Sequence, residues 1–251
     1  MFQSPSPTRY DLRFTLFGIP VRVHPLFWVI AALLGSTSND IVEILTWVAA
    51  VFISVLIHEL GHALVMRYYG ISSNIILHFS GGLTVPESMR WGNGVASMAP
   101  APGQEIVISL AGPFSGFAFA VFVIVSVTLS GGSILMGSLF GVIPLPAAAD
   151  LPFGGDILTS FVLNLLWVNI FWGVFNLMPV YPLDGGNVTR YALIKSDPWD
   201  GARKSLWVSV IAGGALAIVG LVAFRSMYMA FLFAFLAFQS YQTLRGSAGR
   251  F

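Results

Sequence analysis

Two histidines and a glutamate stand together in Val55-Leu56-Ile57-His58-Glu59-Leu60-Gly61-His62-Ala63-Leu64. The spacing is H-E-x-x-H. On a helix, residues four apart project from one face, so both imidazoles can reach a single Zn²⁺. Glu59 lies beside them, able to act as base on a water that the metal activates. From Ile44 to Met66 the only ionisable residues are His58, Glu59 and His62. A polar triplet inside an apolar run of membrane length is costly and marks function. A buried structural His/Glu cluster is the alternative reading of the motif alone.

Composition sets the surroundings. The 251 residues are 56% hydrophobic and only 9% charged, against roughly 25% charged in soluble domains. That balance belongs to a polytopic membrane protein. A net charge of +1 suggests no nucleic-acid partner and no acidic substrate. Cysteine is absent, so a metal must be held by His, Asp, Glu or water. Met1 to Tyr10 is polar and Pro-rich, unlike a cleavable signal peptide, so the helices themselves are expected to direct insertion.

Six helices are expected to position the motif. They are Pro25–Leu34 (short for a span), Ile41–Tyr69 carrying the motif, a third over the first 25 residues from Ile106, Ile157–Met178, Leu206–Phe224 and Met227–Tyr241. Residues 11–23 alternate around Gly18-Ile19-Pro20 and read as a hairpin at the membrane surface. Asn74–Val85, turning at Ser80-Gly81-Gly82, reads as a second. Residues 86–105 read as a Pro/Gly-rich loop. The stretch 131–149, broken by glycines and prolines, reads as an interfacial or partly re-entrant loop. The expected class is therefore all-α and polytopic, with short membrane-associated β-hairpins and one domain over residues 1–251.

Lys and Arg give the orientation. With six spans, eleven of the twelve fall on one side and only Arg225 on the other. Both termini are then cytoplasmic and the motif helix runs inward. His58 precedes Arg67 by nine residues, which puts the metal roughly 10–14 Å inside the cytoplasmic boundary. The fourth helix also runs inward, and its end reads Asn176-Leu177-Met178-Pro179-Val180-Tyr181-Pro182-Leu183-Asp184-Gly185-Gly186. Asp184 arrives at the same depth and is the natural third ligand. Two His and one carboxylate leave a fourth position for water. A helix cap beyond a Pro-broken end is the other reading of Asp184.

The chain resembles the site-2 proteases, zinc metalloproteases that cut inside the membrane. The resemblance rests on His58-Glu59-Leu60-Gly61-His62, on Ala111-Gly112-Pro113, on Asn176 through Gly186, and on the opening Phe17-Gly18-Ile19-Pro20-Val21-Arg22-Val23-His24-Pro25. It implies one Zn²⁺ per chain on His58, His62 and Asp184, Glu59 as catalytic base, and Asn176 close to the reacting water or carbonyl. It also implies that the hairpin with Gly81, Gly82 and Leu83 holds the substrate strand. The implied substrate is a transmembrane segment of another protein, and the implied place is the lipid bilayer. A sequence without a signal peptide or soluble domains is expected in a prokaryotic plasma (inner) membrane, with an organelle as the alternative. No PDZ or CBS domain is expected, and Ser115 stands where many relatives have Asn. Gly112 and Gly116, at GxxxG spacing, suggest close helix packing. His24 reads as interfacial or as a cap or gate, His78 as a surface residue, and Asn164 and Asn169 as interhelical hydrogen-bonders. A substrate-binding pseudoprotease and a zinc transporter are the rival readings. The residues do not give an oligomeric state.

Overall fold

The computed structural model describes residues 6–35, 40–87, 100–139, 141 and 143–247. These form six strands and seven helices in the order β1 (Leu12–Leu16), β2 (Ile19–Val23), α1 (Pro25–Gly35), α2 (Ile41–Tyr68), β3 (Ser73–His78), β4 (Gly81–Pro86), α3 (Pro102–Leu129), β5 (Ser133–Leu139), β6 (Ile143–Asp150), α4 (Gly155–Asn176), α5 (Asp184–Ser196), α6 (Gly201–Val222) and α7 (Met227–Ser247). Of these helices α2, α3, α4 and α6 are long and apolar enough to cross a membrane, and α1 is a shorter apolar helix. The chain divides into two compact units, residues 1–97 with 111–173, and residues 98–110 with 174–251.

In the first unit both expected hairpins are present, and they are fused. The strands form one sheet in the order β1-β2-β3-β4, with β2 and β3 parallel and the outer pairs antiparallel. The first hairpin turns at Phe17 (φ 50) and Gly18 (φ 78), one position earlier than the glycine-proline cluster suggests. Two consecutive positive φ values are those of a two-residue turn whose twist matches the strands. Pro20 therefore falls inside β2, opposite Thr15 and just before Val21–Val23 pair with β3. Asp11 ties the hairpin base. It accepts from the Thr8 amide (3.0 Å), the Thr8 hydroxyl (2.6 Å) and the Arg22 guanidinium (3.1 Å). Desolvation opposes its ionisation, but these donors prevail and hold the carboxyl down at about 2.

Period-2 alternation then does the packing. Ile19, Val21 and Val23 on β2, with Ile75 and Leu77 on β3, are buried against Val55, Leu60 and Ala63 of α2. Alternate strand positions share a face, so the whole apolar side of the sheet lies on the helix that carries the metal motif. That helix starts at Asp40, whose carboxylate accepts from the Val42 amide at 2.9 Å. Glu43 in its first turn and Arg67 in its last complement the helix dipole. With 28 residues it is about 42 Å long, more than enough for a hydrocarbon core of about 30 Å.

Two expected loops are different. Ser133–Leu139 and Ile143–Asp150 pair as antiparallel strands β5 and β6 where an irregular loop was the expectation. Glycines and prolines hide the strand pattern, yet the ladder accommodates Pro144 and Pro146 as one irregular edge. The loop expected over 86–105 ends at Pro102, where α3 already begins; residues 88–99 lie outside the described residues.

In the second unit α6 and α7 pack as an antiparallel pair, and Val180, Phe233 and Leu236 form its buried centre. Here α5 is an element that hydrophobic periodicity does not reveal. Gly185 and Gly186 permit it. A Cβ at Gly185 would overlap the Leu177 carbonyl, and one at Gly186 would lie 2.5 Å from the Tyr181 amide nitrogen. The pair serves close backbone approach rather than a left-handed turn.

Candidate metal centre and its base

His58, Glu59 and His62 are all buried. The two imidazoles meet edge to face, 4.9 Å between centroids and 79° between planes. Their Nε2 atoms stand 3.2 Å apart. Two ligands at about 2.0–2.1 Å from a tetrahedral metal are separated by about 3.3 Å. The pair therefore has the spacing that one Zn²⁺ requires, and neutral imidazole nitrogen is a donor that Zn²⁺ favours.

Helix α3 closes over the pair. A Cβ on Gly112 would overlap His62 Nε2 and would lie 2.7 Å from His58 Nε2. The helices are this close at the adjacent residues too, where a Cβ on Gly61 would overlap the Ala111 carbonyl and lie 2.5 Å from the Ser115 hydroxyl. Ser115 Oγ is 3.0 Å from the Ile57 carbonyl and 2.7 Å from that of Gly112, so its proton serves backbone acceptors on either helix. Gly112 is thus more than a helix-packing residue: the space it leaves is filled by the imidazoles. Gly116 faces Asn169, at 3.4 Å from its carbonyl and side-chain oxygens. Asn169 donates to Ser54 Oγ at 2.7 Å, an interhelical hydrogen bond between α4 and α2.

Glu59 points at β4. Its Oε2 accepts from the Thr84 hydroxyl at 2.6 Å. Gly82 passes so close that a Cβ there would overlap Oε1 and lie 2.5 Å from the carboxyl carbon. Gly81, with φ +118, lies where a Cβ would meet the Trp172 ring at 3.1 Å. Gly81, Gly82 and Leu83 all lie on this edge strand, opposite His78, Leu77 and Ile76. Thr84 is the contact that sequence reasoning passes over; its one signal is strand alternation, which puts residues 82 and 84 on the same face.

In the second unit, Asn176 ends α4 and is buried. Asp184 is the first residue of α5. The N-cap of that helix is Leu183, with no side-chain cap bond, so Asp184 is not an N-cap.

Of the other two histidines, His24 is buried and its Nδ1 accepts from the Leu26 amide at 3.2 Å at the start of α1. His78 is buried too, at 3% exposure, where a surface position was expected. Burial, followed by the nearby His24 and Arg22 charges, lowers its pKa.

The model of peptidase family M50 matches residues 46–149 and 127–220. The chain belongs to peptidase family M50. The zinc metalloprotease MJ0392 of Methanocaldococcus jannaschii is 30% identical over 218 residues, covering 85% of this chain and 53% of that protein. The putative zinc metalloprotease sll0528 of Synechocystis is 32% identical over 190 residues, covering 70% of this chain and 42% of its own. This M50 chain therefore spans about half the length of the curated relatives it matches. Among solved structures, the site-2 protease from Methanocaldococcus jannaschii is similar at a TM-score of 0.53 and 25% identity, covering 94% of this chain and 95% of that one. The resemblance seen in the motifs thus extends to the fold. With four helices of spanning length, this M50 member is an integral membrane protein.

Proposed function

We propose that this chain is a zinc metalloendopeptidase that hydrolyses a peptide bond within a transmembrane segment of another protein. In this reading His58, His62 and Asp184 hold one Zn²⁺. The observation that carries it is the pair of buried imidazoles, 3.2 Å apart and flanked by Glu59, on a helix long enough to span the membrane.

When bound, zinc supplies the Lewis acid that acidifies a water and polarises the scissile carbonyl. Glu59 takes the proton of the attacking water and returns it to the leaving nitrogen. Asn176 donates a hydrogen bond to the developing oxyanion. A helical substrate hides its carbonyls in i→i+4 hydrogen bonds and must unwind locally before it is cut. The open edge of β4, at Gly81, Gly82 and Leu83, offers backbone donors and acceptors to the freed segment. Six crossings by α1, α2, α3, α4, α6 and α7 leave both termini cytoplasmic, supported by eleven of twelve basic residues on that side. The bond cut then lies in the cytoplasmic leaflet of a prokaryotic plasma membrane.

Trapping tests this. Cells carrying the Glu59→Gln chain should accumulate single-pass membrane proteins that the wild type cuts. The wild-type cut sites, mapped by mass spectrometry, should fall in apolar segments towards the cytoplasm. Identical membrane proteomes in the two strains would favour the pseudoprotease. Cuts confined to polar extramembrane sequence would contradict intramembrane cleavage.

A further inference from the structure

The base of the M50 motif sits on a helix, and a buried carboxylate on a flexible side chain needs something to fix its plane. Glu59 has two methylenes between backbone and carboxyl. Its Oε2 receives the Thr84 hydroxyl at 2.6 Å, while the same hydroxyl is 3.1 Å from the Glu59 carbonyl. A hydroxyl has one proton, and the shorter, charge-assisted contact takes it. Thr84 is itself held firmly. It pairs with Ile75, a fully buried residue in the core between sheet and helix. As a β-branched residue on a strand it is stiff at χ1. Two positions earlier, and so on the same strand face, Gly82 leaves the space that the carboxyl group fills. One strand thus provides both the room for the carboxylate and the donor that orients it.

We propose that Thr84 is a positioning residue for Glu59: its hydroxyl commits Oε2 and fixes the carboxylate plane, leaving Oε1 for the proton of the attacking water. The proposal rests on the reading of Glu59 as base. It gives the strand that offers its edge to substrate a second task, that of holding the base.

The test uses the full chain in detergent, with dye-quenched casein as the probe, and compares Thr84→Val, Thr84→Ser and Glu59→Gln. Valine keeps the branched shape and removes the hydroxyl. Thr84→Val is expected to lower kcat by about tenfold or more, as displacement of a general base does. KM and zinc content should stay near wild type, and Thr84→Ser should recover most of the loss. Wild-type kcat in Thr84→Val would overturn the proposal, as would equal losses in the valine and serine variants. Loss of zinc together with activity would do the same. A cycle of unfolding midpoints decides the contact without any cleavage. Thr84→Val should lower the midpoint more in the wild-type background than in a Glu59→Ala background, where the hydroxyl keeps only the residue 59 carbonyl at 3.1 Å. Equal shifts in both would sink the hydrogen bond as the cause. If Glu59→Gln still cut casein at the wild-type rate, the fault would lie with the proposed function, and the cycle would still report on the contact.

Discussion

Glu59→Gln is expected to lower kcat by about 10²- to 10⁴-fold, the range that general acid–base catalysis contributes. The amide has nearly the shape of the carboxylate. It fits the space beside Gly82, and its oxygen can still accept from Thr84. What it loses is the ability to take a proton from water. Zinc content should therefore be unchanged, because Glu59 is not among the proposed ligands His58, His62 and Asp184. Kinetics and metal analysis on the same preparation check both halves. A reduction of less than tenfold would point to another base.

The second large effect is steric. Gly112→Ala places a methyl group where the imidazoles of His58 and His62 now lie, 2.7 Å from one Nε2 and overlapping the other. The two helices are already in close contact at the adjacent residues, where Gly61 of α2 packs on the Ala111 backbone and the Ser115 hydroxyl of α3. Pro113, next in the chain, is fully buried. The rings must rotate, and rotated rings no longer aim two lone pairs at one point. We expect Gly112→Ala to fold with a weakened core, to bind zinc at least about tenfold more weakly, the range in which misdirected ligands fall, and to lose cleavage. Gly116→Ala is the control: its methyl group would meet Asn169 at 3.4 Å, an ordinary contact, and zinc should stay near the wild-type level. Similar zinc affinities in the two variants would remove Gly112 from the centre. Isothermal titration with Zn²⁺ after chelation gives the comparison.

The contrast between these two glycines shows what a sequence can carry. At GxxxG spacing Gly112 and Gly116 look alike, and only the partner tells them apart. One partner is Asn169 and the other a pair of imidazoles some fifty residues away on α2. The histidine pair itself was plain from the sequence, because its geometry is local to a single helix. Hairpins with alternating residues are also plain, whereas the parallel pairing of β2 with β3, which fuses them, joins residues 54 apart, such as Val21 and Ile75. The α5 helix was missed because Pro182, Gly185 and Gly186 read as loop punctuation. Its stability comes from Asp184 in the first turn, Lys195 in the last and close backbone packing at its start. His78 reads as a surface residue because a polar side chain beside a turn usually is one. Its burial follows from the sheet, which no local pattern announces.

In the proposed zinc centre of His58, His62 and Asp184, Asp184 lies more than 120 residues beyond the histidine pair, so its removal is the sharpest probe. Metal analysis of the purified wild-type chain should find about one zinc per chain, as a single three-ligand site implies. The Asp184→Ala chain, purified the same way and folded by circular dichroism, should hold a small fraction of that amount. Wild-type zinc in the folded Asp184→Ala chain would contradict the account.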